Sequence, residues 1–202
     1  MGRIIVCRHG NTFDKGDVVT RVGGRTDLPL STSGVAQAKA LARHFSGTPF
    51  TAAFCSSLQR TRATAEAILS MSPGTPALKV LPFLTEIDYG PDENRPEAEV
   101  VARIGEAALR AWEEDSVPPD GWTVDKAAIL AGWRSLLVQA AARPDTETLL
   151  VVTSNGIARF LPDVVDETPA GLQPKLKTGA WGEIACGARS VITDWNLRPE
   201  PA

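Results

Sequence analysis

Residues 3–12 read RIIVCRHGNT, a run of β-branched and apolar residues that ends in a polar segment. Such a run predicts a buried strand that opens into a loop. Two further runs have the same form: residues 50–55, followed by Ser56, and residues 148–153, followed by Ser154. The last run holds four consecutive apolar residues, which is typical of a strand covered by helices on both faces.

Helical patterns lie between these predicted strands. Apolar residues recur at the helical spacing of about 3.6 over residues 35–45, 58–69, 100–111 and 129–140. The alternation of strands and helices predicts an α/β fold with a mainly parallel central sheet flanked by helices on both faces. Because no repeat or long linker interrupts the sequence, we expect a single domain over residues 1–202.

The composition argues against several kinds of partner and cofactor. The chain has 21 basic and 24 acidic residues and a net charge of -3, so it offers no overall positive charge to nucleic acid or to an anionic membrane. Its three cysteines are widely spaced and it has only two histidines, His9 and His44, which argues against a metal site. We therefore expect no metal, no cofactor, no nucleic-acid partner and no membrane partner.

The chain carries no apolar leader and no run that could span a bilayer. The cysteine pattern lacks the spacing of a disulfide framework, which favours a reducing compartment. These features predict a cytoplasmic protein. The sequence does not specify an oligomeric state.

The residues that follow the three predicted strands are the first candidates for a ligand site, because such sites lie outside the carboxyl ends of parallel strands. Arg60 falls in the first turn of a predicted helix, so its side chain leans back toward the strand end. Guanidinium groups and helix N-termini are the donors that phosphate oxygens prefer. The sequence therefore predicts a phosphate site with the following candidate residues: Arg8, His9, Asn11, Thr12, Arg60, Asn155 and Gly156.

His9 is the candidate nucleophile of this site. Two neighbouring cations disfavour its charged form, so the imidazole is expected to be neutral near pH 7 and able to attack phosphorus. His44 lies on the polar side of a predicted helix and is expected to be solvated. Arg21 and Arg25 lie in a glycine-containing loop, and the sequence is equally consistent with their contacting substrate and with their facing solvent.

The motifs along the chain resemble, in the same order, those of the histidine phosphatase superfamily, also called the phosphoglycerate mutase-like family. Residues 8–12 (RHGNT) match its Arg-His-Gly-x-Thr signature, and residues 22–38 resemble the stretch that leads into its first helix. Residues 56–65 resemble the motif whose arginine binds phosphate, and residues 84–90 (LTEIDYG) resemble its Leu-x-Glu-x-x-x-Gly segment. Several ordered motifs are far more specific than any one of them alone.

The resemblance implies a role for each matched residue. His9 would take the phosphoryl group as a phosphohistidine, Arg8 and Arg60 would hold its oxygens, and Glu86 would protonate the leaving group and then activate water. Further phosphate contacts are expected from Asn11, Thr12, Arg25, Asn155 and Gly156. The implied fold is phosphoglycerate mutase-like, with residues 91–142 as a helical cap. The implied activity is metal-independent hydrolysis of a small phosphorylated metabolite, with inorganic phosphate as a further ligand.

One position departs from the family pattern. The family places a second histidine after the late strand, whereas this chain has Asn155 between Ser154 and Gly156. An amide keeps an N–H donor but carries no positive charge. A weakened or specialised phosphatase and a phosphate-binding or phosphoprotein-binding pseudoenzyme are therefore both open. A phosphomutase is a further alternative, less favoured because the chain is short beside the family's mutases.

Overall fold

The computed structural model describes residues 2–199, in which six strands form one sheet. The strands are β1 (Arg3–Arg8), β2 (Phe50–Cys55), β3 (Leu78–Val80), β4 (Thr148–Thr153), β5 (Trp181–Cys186) and β6 (Ser190–Leu197). Their order is β3-β2-β4-β1-β5-β6. The first four are parallel, whereas β5 runs antiparallel to β1 and to β6. The predicted α/β fold with a mainly parallel sheet is confirmed.

The helices are α1 (Thr32–His44), α2 (Gln59–Met71), α3 (Glu97–Ile104), α4 (Glu106–Asp115), α5 (Lys126–Ala141) and the short α6 (Asn155–Ala158). The prediction of one continuous helix over residues 100–111 was wrong. Gly105 adopts φ = 80° and ψ = 154°, a non-helical conformation that glycine readily accommodates and that separates α3 from α4.

The two faces of the sheet carry separate apolar clusters. Alternate residues of β1 and β4 point to opposite faces, which is the period of a strand. Ile4 and Val151 belong to the cluster that includes Trp133 of α5, whereas Ile5 and Leu150 belong to the cluster that includes α1 and α2. All six residues of β4 are buried. The continuous apolar run of this strand is therefore explained by its helical cover on both sides.

The sheet brings the predicted site segments to one edge. Strands β2, β4 and β1 are neighbours, and the register sets Arg8 opposite Thr153 and Cys55 opposite Val152. The loop after β1 also lies against the start of α1, where a Cβ added at Gly34 would stand 2.0 Å from the carbonyl oxygen of Asn11. A residue without a side chain is required for this close approach.

The segment predicted to be a helical cap, residues 91–142, has two kinds of neighbour. Residues of α3 and α4 line the cavity described below. Helix α5 packs instead against the sheet, where Trp133, Leu136 and Ala140 are buried. The assignment of the whole segment as a cap stays a prediction.

Candidate active site

His9 lies directly after β1 and is 5% exposed. Its Nδ1 is 2.7 Å from the carbonyl oxygen of Gly10, and its Nε2 is 3.2 Å from Nε of Arg60. A carbonyl only accepts hydrogen bonds and a guanidinium only donates them, so Nδ1 carries the proton and Nε2 presents a lone pair. Burial, together with the charges of Arg60 and Arg8, holds the pKa of His9 well below its usual range. The imidazole is therefore neutral at pH 7, and Nε2 is the ring atom whose lone pair can act as a nucleophile.

Arg60, in the first turn of α2, is fully buried. While its Nε donates to His9, its Nη1 donates to the carbonyl of Thr26 at 2.8 Å and its Nη2 to that of Gly23 at 3.2 Å. The same guanidinium thus ties the loop before α1 to the histidine. This contact joins the ends of β1 and β2, which are separated in the sheet by β4, and it agrees with the direction in which helical side chains lean.

Arg8 ends β1 on the other side of the histidine. Its Nη1 donates to the carbonyl oxygen of Leu176 at 2.9 Å, and its Nε is buried without a partner among residues 2–199. Within the same residues, neither Arg8 nor Arg60 has a carboxylate at salt-bridge distance. Neither charge is therefore neutralised by a direct ion pair, but Arg8 alone of the two lines the cavity, since the three nitrogens of Arg60 are bound to His9, Thr26 and Gly23.

Glu86 is a buried carboxyl group in the same cavity. Its Oε1 accepts the N–H of Ile87 at 2.9 Å, and its Oε2 accepts the N–H of Gly156 at 3.3 Å. Burial raises the pKa of Glu86 above its usual range, although these two N–H groups and the charges of Arg60 and Arg8 oppose the shift. A raised pKa is what a general acid needs near neutral pH.

Gly156 sets the position of this carboxyl group. A Cβ at residue 156 would stand 2.1 Å from Oε1 of Glu86. We expect Gly156→Ala to displace the carboxyl group and to lower kcat by about 10- to 100-fold, because small misplacements of reacting groups cost that much. Steady-state kinetics and a melting curve would check this. Gly47→Ala is the control, since a Cβ there meets no atom within 4 Å; equal kcat values for the two variants would contradict the prediction.

Asn155 starts α6, after β4, and is buried. Its Oδ1 accepts the N–H of Leu176 at 2.9 Å. That bond fixes the orientation of the amide, so Nδ2 is the group left for the cavity. The backbone of Leu176 therefore binds the side chains of both Asn155 and Arg8.

A cavity of about 340 Å³ joins these groups, a size at the lower end for small-molecule sites. Six of the predicted residues line it, namely Arg8, His9, Asn11, Thr12, Glu86 and Asn155. Arg60 lies behind His9, and the N–H of Gly156 is bound to Glu86. Arg25 is not brought to the cavity, because its Nε donates to Asp88 at 2.9 Å and its side chain is 58% exposed.

The outer part of the cavity contains residues that the sequence motifs did not identify. Arg21 lines this part of the cavity, although the sequence alone did not decide whether it contacts substrate. The other residues here are Tyr89, Glu97, Trp112, Glu113, Lys175 and Thr178. Lys175 and Thr178 lie in an irregular segment before β5, and no spacing rule connects such a segment with a distant site. Glu97 and Glu113 lie on helices whose sequence shows only an ordinary polar face.

Two kinds of feature are absent from residues 2–199. No group of three or more histidine, cysteine, aspartate or glutamate side chains is arranged to hold a metal ion. No helix in this part of the chain is long and apolar enough to cross a membrane.

The chain is similar to several known proteins. The family model of the histidine phosphatase superfamily, branch 1, matches residues 4–184. The 2,3-bisphosphoglycerate-dependent phosphoglycerate mutase 2 of Gloeobacter violaceus is 31% identical over 133 residues, which are 64% of this chain and 59% of the mutase. The chain therefore matches less than two thirds of the length of that relative.

Two further proteins match nearly along their whole length. The adenosylcobalamin/alpha-ribazole phosphatase of Salmonella typhimurium is 28% identical over 187 residues, 90% of this chain and 89% of that protein. The structure of a mycobacterial glucosyl-3-phosphoglycerate phosphatase with inorganic phosphate has a TM-score of 0.76 at 20% identity, and the match covers 98% of this chain and 99% of that one. At this identity the structural likeness shows the shared fold.

Proposed function

The chain belongs to the histidine phosphatase superfamily, and on this basis we propose that it hydrolyses small phosphomonoesters through a phosphohistidine at His9. The observation that carries the proposal is the arrangement of hydrogen bonds around the imidazole. Nδ1 is committed to the carbonyl of Gly10, and the lone pair of Nε2 is held by a single N–H of Arg60. A phosphate group can take over that N–H and leave Nε2 free to attack.

In the first step the phosphate oxygens are bound by Arg8, which lines the cavity, and by Arg60 through the N–H that it otherwise donates to His9. Nε2 of His9 attacks phosphorus, and the bond from phosphorus to the alcohol oxygen breaks. Glu86 gives its proton to that oxygen, so the alcohol leaves neutral. Charge neutralisation and positioning supply most of the catalysis in such transfers.

In the second step water hydrolyses the phosphohistidine. Glu86, now ionised, takes a proton from the water, and the resulting hydroxide attacks phosphorus. The bond between phosphorus and Nε2 breaks, which returns neutral His9 and releases inorganic phosphate. The same carboxyl group thus acts as acid and then as base.

A second candidate function is a phosphate-binding module without turnover, and Asn155 is the observation that favours it. Its Nδ2 can donate to a phosphate oxygen, but an amide adds no positive charge in the transition state. Incubation with p-nitrophenyl phosphate at high protein concentration, in parallel with calorimetry of inorganic phosphate, separates the two. We expect hydrolysis as well as binding; binding with no hydrolysis would support the module.

We expect Asn155→His to raise kcat by about 10- to 100-fold, since a hydrogen bond from a charged imidazole stabilises the transition state more than one from a neutral amide. A histidine at this position can donate one ring N–H to the phosphate, and protonation of its other ring nitrogen adds the positive charge that the amide lacks. Asn155→Asp is the matched variant, because it keeps the acceptor for Leu176 and replaces the Nδ2 donor by a charged oxygen; its kcat should fall. A rate for Asn155→His equal to or below the wild-type rate would identify Asn155 as a specialisation and overturn this prediction.

A further inference from the structure

Two ion pairs line the outer part of the cavity, where their side chains are more exposed than that of His9. The first joins Nη2 of Arg21 to Oε2 of Glu97 at 2.5 Å. The Arg21 guanidinium also lies 5.3 Å from the ring centre of Tyr89 and 5.2 Å from that of Trp122, and its side chain is only 12% exposed. The two aromatic rings therefore hold the side chain of Arg21 in place, and Glu97 neutralises its charge.

The second pair joins Nζ of Lys175 to Oε2 of Glu113, also at 2.5 Å. Glu113 lies on α4, and its backbone carbonyl accepts a hydrogen bond of 2.8 Å from the buried Arg159. This bond fixes the end of α4 at the cavity. The outer part of the site thus contains two cations, and each has its own carboxylate.

The inner part of the cavity has the opposite character. Arg8 and Arg60 have no carboxylate within salt-bridge distance among residues 2–199, and the nearby Glu86 has a raised pKa. The cations beside His9 are therefore free of a direct ion pair and can attract one phosphate group. In the outer part of the cavity, Glu97 and Glu113 neutralise Arg21 and Lys175. A second anionic group placed there would meet Arg21 and Lys175 with their charge already balanced, and it would also face Glu97 and Glu113. Such like-charge contacts are costly in a partly desolvated site.

We propose that this site selects phosphomonoesters whose alcohol carries no second anionic group, with Glu97 and Glu113 as the residues that reject bisphosphates and phosphorylated acids. The apolar side chains of Phe13, Val19 and Val22 in the wall of the cavity suit an uncharged organic group. The inference rests on the proposed function, since it describes the part of the substrate that does not react.

The test uses two ligands that differ only in a second phosphate, fructose 6-phosphate and fructose 1,6-bisphosphate. Each competes against hydrolysis of p-nitrophenyl phosphate at fixed ionic strength. We expect the inhibition constant of the bisphosphate to exceed that of the monophosphate by about fivefold or more, a modest charge effect. Glu113→Gln leaves Lys175 without its carboxylate and should shrink this ratio by about fivefold, through tighter binding of the bisphosphate alone.

Glu97→Gln is the second variant and should act in the same direction through Arg21. The control is Glu99→Gln, which makes the same charge change on α3 but belongs to an exposed pair with Arg95 outside the cavity; its ratio should match the wild type. Tighter binding of the bisphosphate by the wild-type protein, or an unchanged ratio in both cavity variants, would overturn the inference.

Failure of the proposed function gives a different result, namely no hydrolysis of any ester. The affinities of the two fructose phosphates are then compared by calorimetry. The charge-selection inference is therefore tested whether or not the protein turns over substrate.

Discussion

His9→Ala is expected to abolish phosphate release, with a fall in kcat on the order of 10⁴-fold or more, as for other nucleophiles of covalent mechanisms. The physical reason is that His9 is the one imidazole among the described residues that line the cavity. The hydrogen bonds to Gly10 and Arg60 leave its Nε2 with an unprotonated lone pair. Release of phosphate from p-nitrophenyl phosphate is the measurement.

His44→Ala is the matched control for this loss. It removes the other histidine of the chain, which is exposed on α1 and lies outside the cavity. We expect its kcat to equal that of the wild type. Residual turnover of His9→Ala at more than about a hundredth of the wild-type rate would point to direct attack by water and contradict covalent catalysis.

Glu86→Gln is expected to lower kcat by about 10²- to 10⁴-fold, the usual contribution of a positioned general acid and base. Glutamine has nearly the same shape and keeps one oxygen for the N–H groups of Ile87 and Gly156, but it has no proton to give to the leaving alcohol. An ester with a very good leaving group needs that proton less. The measurement is the rate of the first step, the transfer of the phosphoryl group to His9. In Glu86→Gln this rate should fall far less with p-nitrophenyl phosphate than with an alkyl phosphate.

The pH dependence of kcat/KM follows from the same two groups. His9 must be neutral, and its pKa is lowered by burial and by Arg60 and Arg8, so its protonation limits the rate only at acid pH. Glu86 must be protonated, and its pKa is raised by burial, so activity is retained to a higher pH than a carboxyl group of ordinary pKa would allow and is lost as the pH rises through the raised pKa. In Glu86→Gln this alkaline decline should vanish. If kcat/KM of Glu86→Gln declined at alkaline pH as much as that of the wild type, the decline would belong to a group other than Glu86.

The parts of the fold that could be predicted are those in which local sequence and tertiary environment agree. Strands β1, β2 and β4 are short apolar runs because both faces of the sheet are covered, and their polar ends meet because they are neighbours in a parallel sheet. Strands β5 and β6 were not predicted. Strand β5 is an interior strand with four of six residues buried, but Gly182 and Glu183 interrupt its apolar run. Strand β6 is an edge strand and is only partly buried, so its residues show no clean apolar run.

The candidate site also has a part that could be predicted from the sequence and a part that could not. Arg8, His9, Arg60 and Asn155 follow strand ends, so topology alone places them together. The orientation of Asn155 could not be predicted, because it depends on the backbone N–H of Leu176 from a distant irregular segment. The pairing of two cavity cations with glutamates of α3 and α4 was equally out of reach, since it depends on where the chain returns after residue 91.

The most direct measurement is a rapid-quench reaction of the wild-type protein with a phosphomonoester labelled at phosphorus, followed by peptide mapping. The account predicts one acid-labile, alkali-stable adduct on Nε2 of His9, present within the first turnover and missing from His9→Ala. Turnover without any adduct, or an adduct on a different residue, would contradict it.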